Sequence, residues 1–130
     1  MYALDTNSLV YFFKGTGRVS EHLLATAPRE VAVPAVAVYE LEVGIAKSTS
    51  PKKRRQQLDE FLRWAAILPF GWVEARASAE VRADLERKGC PIGPLDTLIA
   101  GTAVAHGATL VTRNIDEFGR IVGLKTENWF

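Results

Sequence analysis

Short apolar runs within YALD, EVAVPAV, AILPF and ATLVTRN alternate along this chain with segments of about ten or more residues whose apolar positions recur at helical spacing. A run that is apolar at every position has no face to give to solvent, so it fits a strand covered on both sides. Helices between such strands provide the crossovers that parallel pairing requires. A single α/β/α sandwich around a central, mainly parallel sheet is therefore expected, with GLKTEN as a last strand. At 130 residues one domain, residues 1–130, suffices to bury about two-thirds of the surface of the unfolded chain.

The intervening helices can be placed from their periodicity. Asn7 or Ser8 is expected to cap a helix through SLVYFF, since a short side-chain oxygen satisfies the free amides of a first turn. Val36, Tyr39 and Val43, with Val38, Leu41 and Ile45, mark a second helix. Pro51 opens a third, with Leu58, Phe61, Leu62 and Ala65 inward, and the two form a hairpin. Val73, Ala77, Val81 and Leu85 share one face of a fourth, which stops at Gly89. A fifth starts after Pro94, carries Leu95, Leu98, Ile99, Thr102 and Ala103, and ends at Gly107, and IDEF adds a short turn.

No apolar run approaches the ~20 residues needed to span a bilayer. The first residues lack the basic start and cleavage site of a secretory signal, so a cytoplasmic protein without membrane contact is expected. Cys90 is the single cysteine and has no Cys or His at zinc-ligand spacing. Sixteen Lys and Arg against fifteen Asp and Glu leave a net charge of +1, which neither requires nor excludes a polyanionic partner. The one basic block, Lys52, Lys53, Arg54 and Arg55, reads equally as a solvated helix start and as a phosphate-contacting patch.

Four carboxylates fit poorly on an ordinary surface: Asp5 in YALDTNS, Glu40 in VYELEVG, Asp96 in GPLDTLIA and Asp116 in VTRNIDEF. Taken singly, Asp5 reads as well as a turn or cap residue, and Asp96 as a charge favoured at a helix start. Glu40 lies on a helix with apolar residues on most sides, where a charge needs a partner. In an open parallel sheet the functional crevice lies beyond the C-terminal strand ends, where chain order reverses, and acids that follow strands belong there. Two carboxylates ~5 Å apart repel by about 3 kcal/mol at an effective dielectric near 20. Several such acids need a cation, and the lack of Cys and His beside them favours Mg2+ or Mn2+ over zinc.

His22 and His106 read as helix-end or surface residues. No Ser, His and Asp set or Cys and His pair supports a side-chain nucleophile. Water activated by a metal ion, acting on a phosphodiester, remains. Thr6, Asn7, Thr112, Arg113 and Asn114 lie beside the acids in sequence and suit the orientation of water, metal ligands or phosphate, though Thr6 reads equally, and Thr112 more readily, as a cap or turn residue after a strand.

The opening LDTN, the YELEVGIAKS helix, the run IGPLDTLIAGTAVAHGATLVTRNIDEFGRI and the closing GLKTENW together resemble a PIN-domain ribonuclease, specifically the VapC-type toxins of VapBC toxin–antitoxin pairs, over essentially the full length. The resemblance implies a Mg2+- or Mn2+-dependent endoribonuclease with its acidic site at the C-terminal edge of the sheet. Carried over by position, Asp5 and Asp96 match the first and third family acids, as metal ligands, and Glu40 matches the second. Asp116 takes the fourth acid role, with Asn114 as a polar helper. Lys52, Lys53, Arg54, Arg55 and Arg113 are the basic residues expected to meet RNA. The resemblance also implies homodimers and a cognate antitoxin, which lays a C-terminal segment along an apolar groove, so that toxin and antitoxin form a hetero-oligomer. Trp64, Trp72, Tyr39 and Phe12 or Phe13 are candidates for that groove or for a dimer surface, although ordinary core packing accounts for most of them more readily.

Two rival readings remain. One is a PIN-fold module that binds RNA or protein without cutting, which the presence of four candidate acids disfavours. The other is an α/β phosphohydrolase with Asp5 as nucleophile, disfavoured by Asn at position 7 and by Thr112 and Arg113 after the late strand.

Overall fold

The computed structural model describes residues 1–130. Strands β1 (Tyr2–Leu4), β2 (Val31–Pro34), β3 (Ala66–Leu68), β4 (Thr109–Val111) and β5 (Thr126–Glu127) form one sheet in the order β3-β2-β1-β4-β5. Every pairing is parallel. The helices are α1 (Thr6–Lys14), α2 (Val19–Leu24), α3 (Ala35–Lys47), α4 (Pro51–Leu62), α5 (Trp72–Arg87), α6 (Pro94–Ala105) and α7 (Ile115–Phe118). A short 3-10 turn spans Pro28–Glu30. The α/β/α expectation is met, and no helix is long and apolar enough to cross a membrane.

The chain steps outward from β1 to β2 and β3, then returns to the other side of β1 for β4 and β5. The order thus reverses between β1 and β4, which opens a crevice at their C-terminal ends. Leu4 lies opposite Val111 in that pair, so the next residues, Asp5 and Thr112, leave the sheet side by side. Ala3, Leu4, Val33, Leu110 and Val111 have no exposed surface, which is why the inner runs are apolar at every position. The outer strands are short, and β5 is flanked by Lys125 and ends in Glu127, features that discourage pairing with another chain's edge.

Three local expectations change. The cap of α1 is Asp5 rather than Asn7 or Ser8: its Oδ1 accepts the Ser8 amide at 2.8 Å, and the helix starts at Thr6. The six-residue α2 is too short to show a period, and Arg18 gives it no side-chain cap. Tertiary contacts hold it instead. The Arg18 amide donates to the Phe130 carbonyl at 2.8 Å, and His22 stacks on the buried Trp129 ring, centroids 5.1 Å apart.

The third change is the inward face of α5, which consists of Glu74, Ser78, Val81 and Leu85, while Val73 is exposed. Glu74 is tolerated there because its oxygens are partnered, and Ser78 because it is enclosed against α6. Glu74 Oε1 accepts the Gly71 amide at 2.8 Å, and its Oε2 meets His106 Nε2 at 3.0 Å. His106 is thus a helix-end residue, as expected, but a half-buried and paired one. Ser78 lies against Gly101, where a Cβ would stand 1.9 Å from Ser78 Oγ and 2.5 Å from Ser78 Cα. The two helices touch there at nearly backbone distance, which only glycine permits.

Candidate active site

Asp5 enters the crevice from the end of β1. Its amide donates to the Val111 carbonyl at 3.0 Å, so the residue is tied to β4 as well as to its own helix. The side chain is buried. That burial pushes the Asp5 carboxyl above the ordinary aspartate range, partly offset by hydrogen bonds from Thr112 and from the Ser8 amide and hydroxyl. Thr112, fully buried, also accepts the Asn114 amide at 3.0 Å and so shapes the turn leading to α7.

Asp96 comes from the first turn of α6, opened by Gly93 and Pro94. Burial raises its carboxyl, and the negative charges of Glu40, Asp5 and Glu117 raise it further, in that order. Carboxylates from the end of β1, from α3 and from α7 thus act on Asp96 although the positions involved run from 5 to 117. Glu40 is half-buried on α3, and the Thr6 hydroxyl donates to its Oε1 at 2.7 Å. That bond fixes Glu40 against the first turn of α1.

At the fourth position the structure separates two neighbouring acids. Asp116 is exposed and is not among the charges acting on Asp96, whereas its neighbour Glu117 is half-buried and is. The reason is helical geometry. Phe118 and Ile121 are buried and mark the inward side of this turn; at 3.6 residues per turn Glu117 borders that side and Asp116 points away from it. The apolar pair at 118 and 121 was the signal in the sequence. Asn114 is exposed and makes no side-chain cap bond to α7, and Asn7 is exposed on the first turn of α1.

The basic residues also separate. Lys52 and Lys53 are exposed. Arg55 forks onto Glu42 and reaches Asp59 at 3.8 Å, so its charge is already matched within the fold. Arg54 is half-buried and lines a cavity that Thr6 and Glu40 also line. Arg113 leaves β4 and lies over the Phe130 ring, 3.6 Å from its centroid, with Tyr11 at 5.7 Å. Stacking of this kind orients a guanidinium while leaving its donors free.

Among the aromatic candidates, Phe12, Phe13 and Trp64 gather around Phe61. Tyr39 and Trp72 are exposed and join no aromatic pair, so these rings do not form one continuous surface.

The donor set suits a hard divalent ion. It is made of carboxylate oxygens, without Cys or His; burial holds Asp5 above its ordinary range, and burial together with like charge that a cation would relieve holds Asp96 above its own. As the side chains stand, no three of them converge within one coordination sphere. Asp5 is occupied with Ser8 and Glu40 with Thr6.

The arrangement has close counterparts. A model of the PIN domain family matches residues 2–124. Ribonuclease VapC2 of Rickettsia felis is 39% identical over 131 residues, covering 99% of this chain and 98% of the relative. The tRNA(fMet)-specific endonuclease VapC of Salmonella typhimurium is 30% identical over 128 residues, covering 98% and 97%. In three dimensions the chain superposes on a chain of the crystal structure of VapBC2 from Rickettsia felis bound to a promoter DNA fragment, with a TM-score of 0.92, 38% identity, and coverage of 99% and 98%. With the family model spanning nearly the whole fold, the acids at the β1–β4 switch point sit in a domain of known kind, and the chain belongs to the PIN-domain family, among its VapC-type ribonucleases.

Proposed function

We propose that the chain is the RNA-cleaving toxin of a toxin–antitoxin pair, and that Asp5, Glu40, Asp96 and Glu117 form its catalytic centre around Mg2+ or Mn2+. The choice of residues is supported by the place of Asp5 at the β1–β4 switch point, its amide tied to Val111, and by the charges of Glu40, Asp5 and Glu117, from three other elements, that push the Asp96 carboxyl upward. Asp5 and Asp96 would hold the ion, with Glu40 and Glu117 completing the acidic surround. Such an ion, when bound, lowers the pKa of water and offsets the charge that develops on a phosphodiester under in-line attack.

The rest is the work of side chains. The Ser8 amide and the Thr112 hydroxyl hold the Asp5 carboxylate at the end of β1. The Thr6 hydroxyl holds Glu40 against the first turn of α1, one residue from Asp5. The N-terminal end of α6 favours negative charge at Asp96. Arg113, steadied by Phe130, stands ready to bind a backbone phosphate at the β4 edge of the site. Lys52 and Lys53, without partners in the fold, add weaker, salt-sensitive attraction. Asp116, exposed on α7, is not assigned a catalytic role.

The Salmonella relative is named for cleavage of tRNA(fMet), which makes that tRNA the first substrate to test. The VapBC2 structure pairs a toxin of this type with its antitoxin. A cognate antitoxin and a homodimer are the proposed partners, the site of action is the cytoplasm, and the Phe12, Phe13 and Trp64 cluster is the apolar surface offered to a partner. The deciding experiment incubates the chain with total RNA and with tRNA(fMet) in Mg2+, in Mn2+ and in EDTA, and maps the ends produced. Cleavage that needs the ion, leaves a 5′-phosphate and disappears in Asp96→Asn supports the proposal. Cleavage indifferent to EDTA, or equal in Asp96→Asn, refutes it.

A further inference from the structure

Between α1, α3 and α4 lies a cavity of about 170 Å³ that shares Thr6 and Glu40 with the acidic site. Its deep side is apolar, since Leu41, Ile45 and Leu58 are buried side chains, and the Phe13 ring adds an aromatic surface. An engineered apolar cavity of about 150 Å³ admits benzene, so there is room for a planar ring. Two cations, Lys14 and Arg54, line the more exposed side, and neither is ion-paired within the fold. Arg54 is nonetheless held in place: it donates to Gln57 Oε1 at 3.1 Å, and Gln57 donates to the Phe13 carbonyl at 3.1 Å. Gly44 also lines the cavity, and a Cβ there would meet no atom within 4 Å.

We propose that this cavity receives one unpaired nucleobase of the RNA substrate, next to the bond that is cut. The inference rests on the RNA-cleaving reading of the acidic site. Sequence-selective proteins take RNA by splaying single bases out of the stack onto aromatic or apolar surfaces while cations hold the flanking phosphates. The cavity has the surface, the size, the free cations and direct continuity with the acids. An apolar peptide side chain would use the buried floor but would leave Lys14 and Arg54 unmatched, whereas a nucleotide uses both. Arg55, one residue along, is spent on Glu42 and Asp59, so Arg54 is the member of the basic block that serves this subsite.

The test measures binding by fluorescence anisotropy in Mg2+, with the cleavage-deficient Asp96→Asn protein. The probes are an RNA oligonucleotide that the wild type cuts and the same oligonucleotide with an abasic residue at each position in turn. One abasic position should weaken binding about tenfold, as loss of a stacked base does. Adding Gly44→Leu, which fills the cavity from a position with free space, should bring intact RNA down to the abasic level. Arg54→Gln should weaken both RNAs about fivefold and flatten the salt dependence.

A folded Gly44→Leu protein that keeps the tenfold discrimination overturns the proposal. So does Arg54→Gln with unchanged binding, a result that does not depend on how Gly44→Leu folds. Loss of antitoxin binding in Gly44→Leu with RNA discrimination intact would make the cavity a peptide site and equally overturn it. If the wild type cuts no RNA at all, the underlying ribonuclease reading fails; if it cuts and the abasic scan is flat, only the nucleobase subsite does.

Discussion

Gly101 and Gly44 both lie inside helices, yet their surroundings are opposite. At Gly101 the backbone of α6 presses on Ser78 so closely that a methyl group has nowhere to go, and Ser78 Oγ is shut in without a hydrogen-bond partner. At Gly44 on α3 the missing side chain opens onto the cavity beside Glu40. One absence of a side chain brings two helices together; the other leaves room. The acidic crevice joins these regions, for Asp96 rides on the tightly packed α6 and Glu40 on α3. A centre that must hold charge in place while admitting a long, flexible substrate benefits from one rigid wall and one open one.

The largest effect expected is on chemistry at the rigid wall. Asp96→Asn should lower cleavage by about a thousandfold while the protein stays folded and no less stable, because it removes a charge that its neighbours oppose. Activity assays paired with thermal melts check both halves; a loss of folding would mean that Asp96 is structural. Next, Glu117→Gln should cost about a hundredfold in cleavage and Asp116→Asn less than about twofold, measured side by side. The reverse order would move the fourth acid to the exposed face of α7.

Gly101→Ala should then destabilise the fold by about 1–3 kcal/mol, as overpacking does, lowering Tm by about 4 °C per kcal/mol. The same change at Gly44 should have the opposite sign and stabilise by about 0.5–1 kcal/mol, since alanine loses less backbone entropy in a helix and meets no obstacle there. If both substitutions moved Tm in one direction, the contrast between the two walls would fail.

The smallest effect is a pH signature. Glu74 is held below its ordinary range, first by the Gly71 amide and, after an opposing contribution from burial, by His106. Its contribution to stability is therefore present above the unfolded value near 4.5 and lost as pH falls through the folded value. Asp96 is raised, so its contribution is present below the unfolded value near 3.8 and lost as pH rises through the folded value. In divalent-free buffer, stability curves should diverge from wild type in opposite senses. Glu74→Gln should lose the fall in stability toward acid that Glu74 causes, and Asp96→Asn the fall that Asp96 causes as pH rises.

Much of this architecture is legible without coordinates. The buried strands announce themselves because a strand covered on both faces has no position for a polar residue, and Pro51, Pro94 and Gly107 punctuate their helices as their backbone restrictions demand. Asp5 and Asp96 stand out because each charge borders an apolar run. The hidden parts depend on contacts distant in sequence. Helix α2 exists because Arg18 meets Phe130 and His22 meets Trp129. The inner face of α5 carries Glu74 and Ser78, against its apolar periodicity, because His106 pairs with Glu74 and because Gly101 lets α6 approach close enough to enclose Ser78.

The order of apolar runs and helical segments, by itself, determined that this chain forms a parallel sheet with acids at its C-terminal edge, since burial on both faces and strand crossovers are local demands written into every segment. Only the tertiary structure decided that Glu117 is half-buried and acts on Asp96 while Asp116 is exposed, that Arg55 is paired while Arg54 stays free, and that Gly44 opens a cavity where Gly101 closes a contact. These outcomes turn on one residue's rotation about a helix or on which partner arrives from elsewhere in the chain. Partners such as Glu42 for Arg55 come from positions distant in sequence, and only the turn around Glu117 is foreshadowed locally, by the apolar pair at 118 and 121.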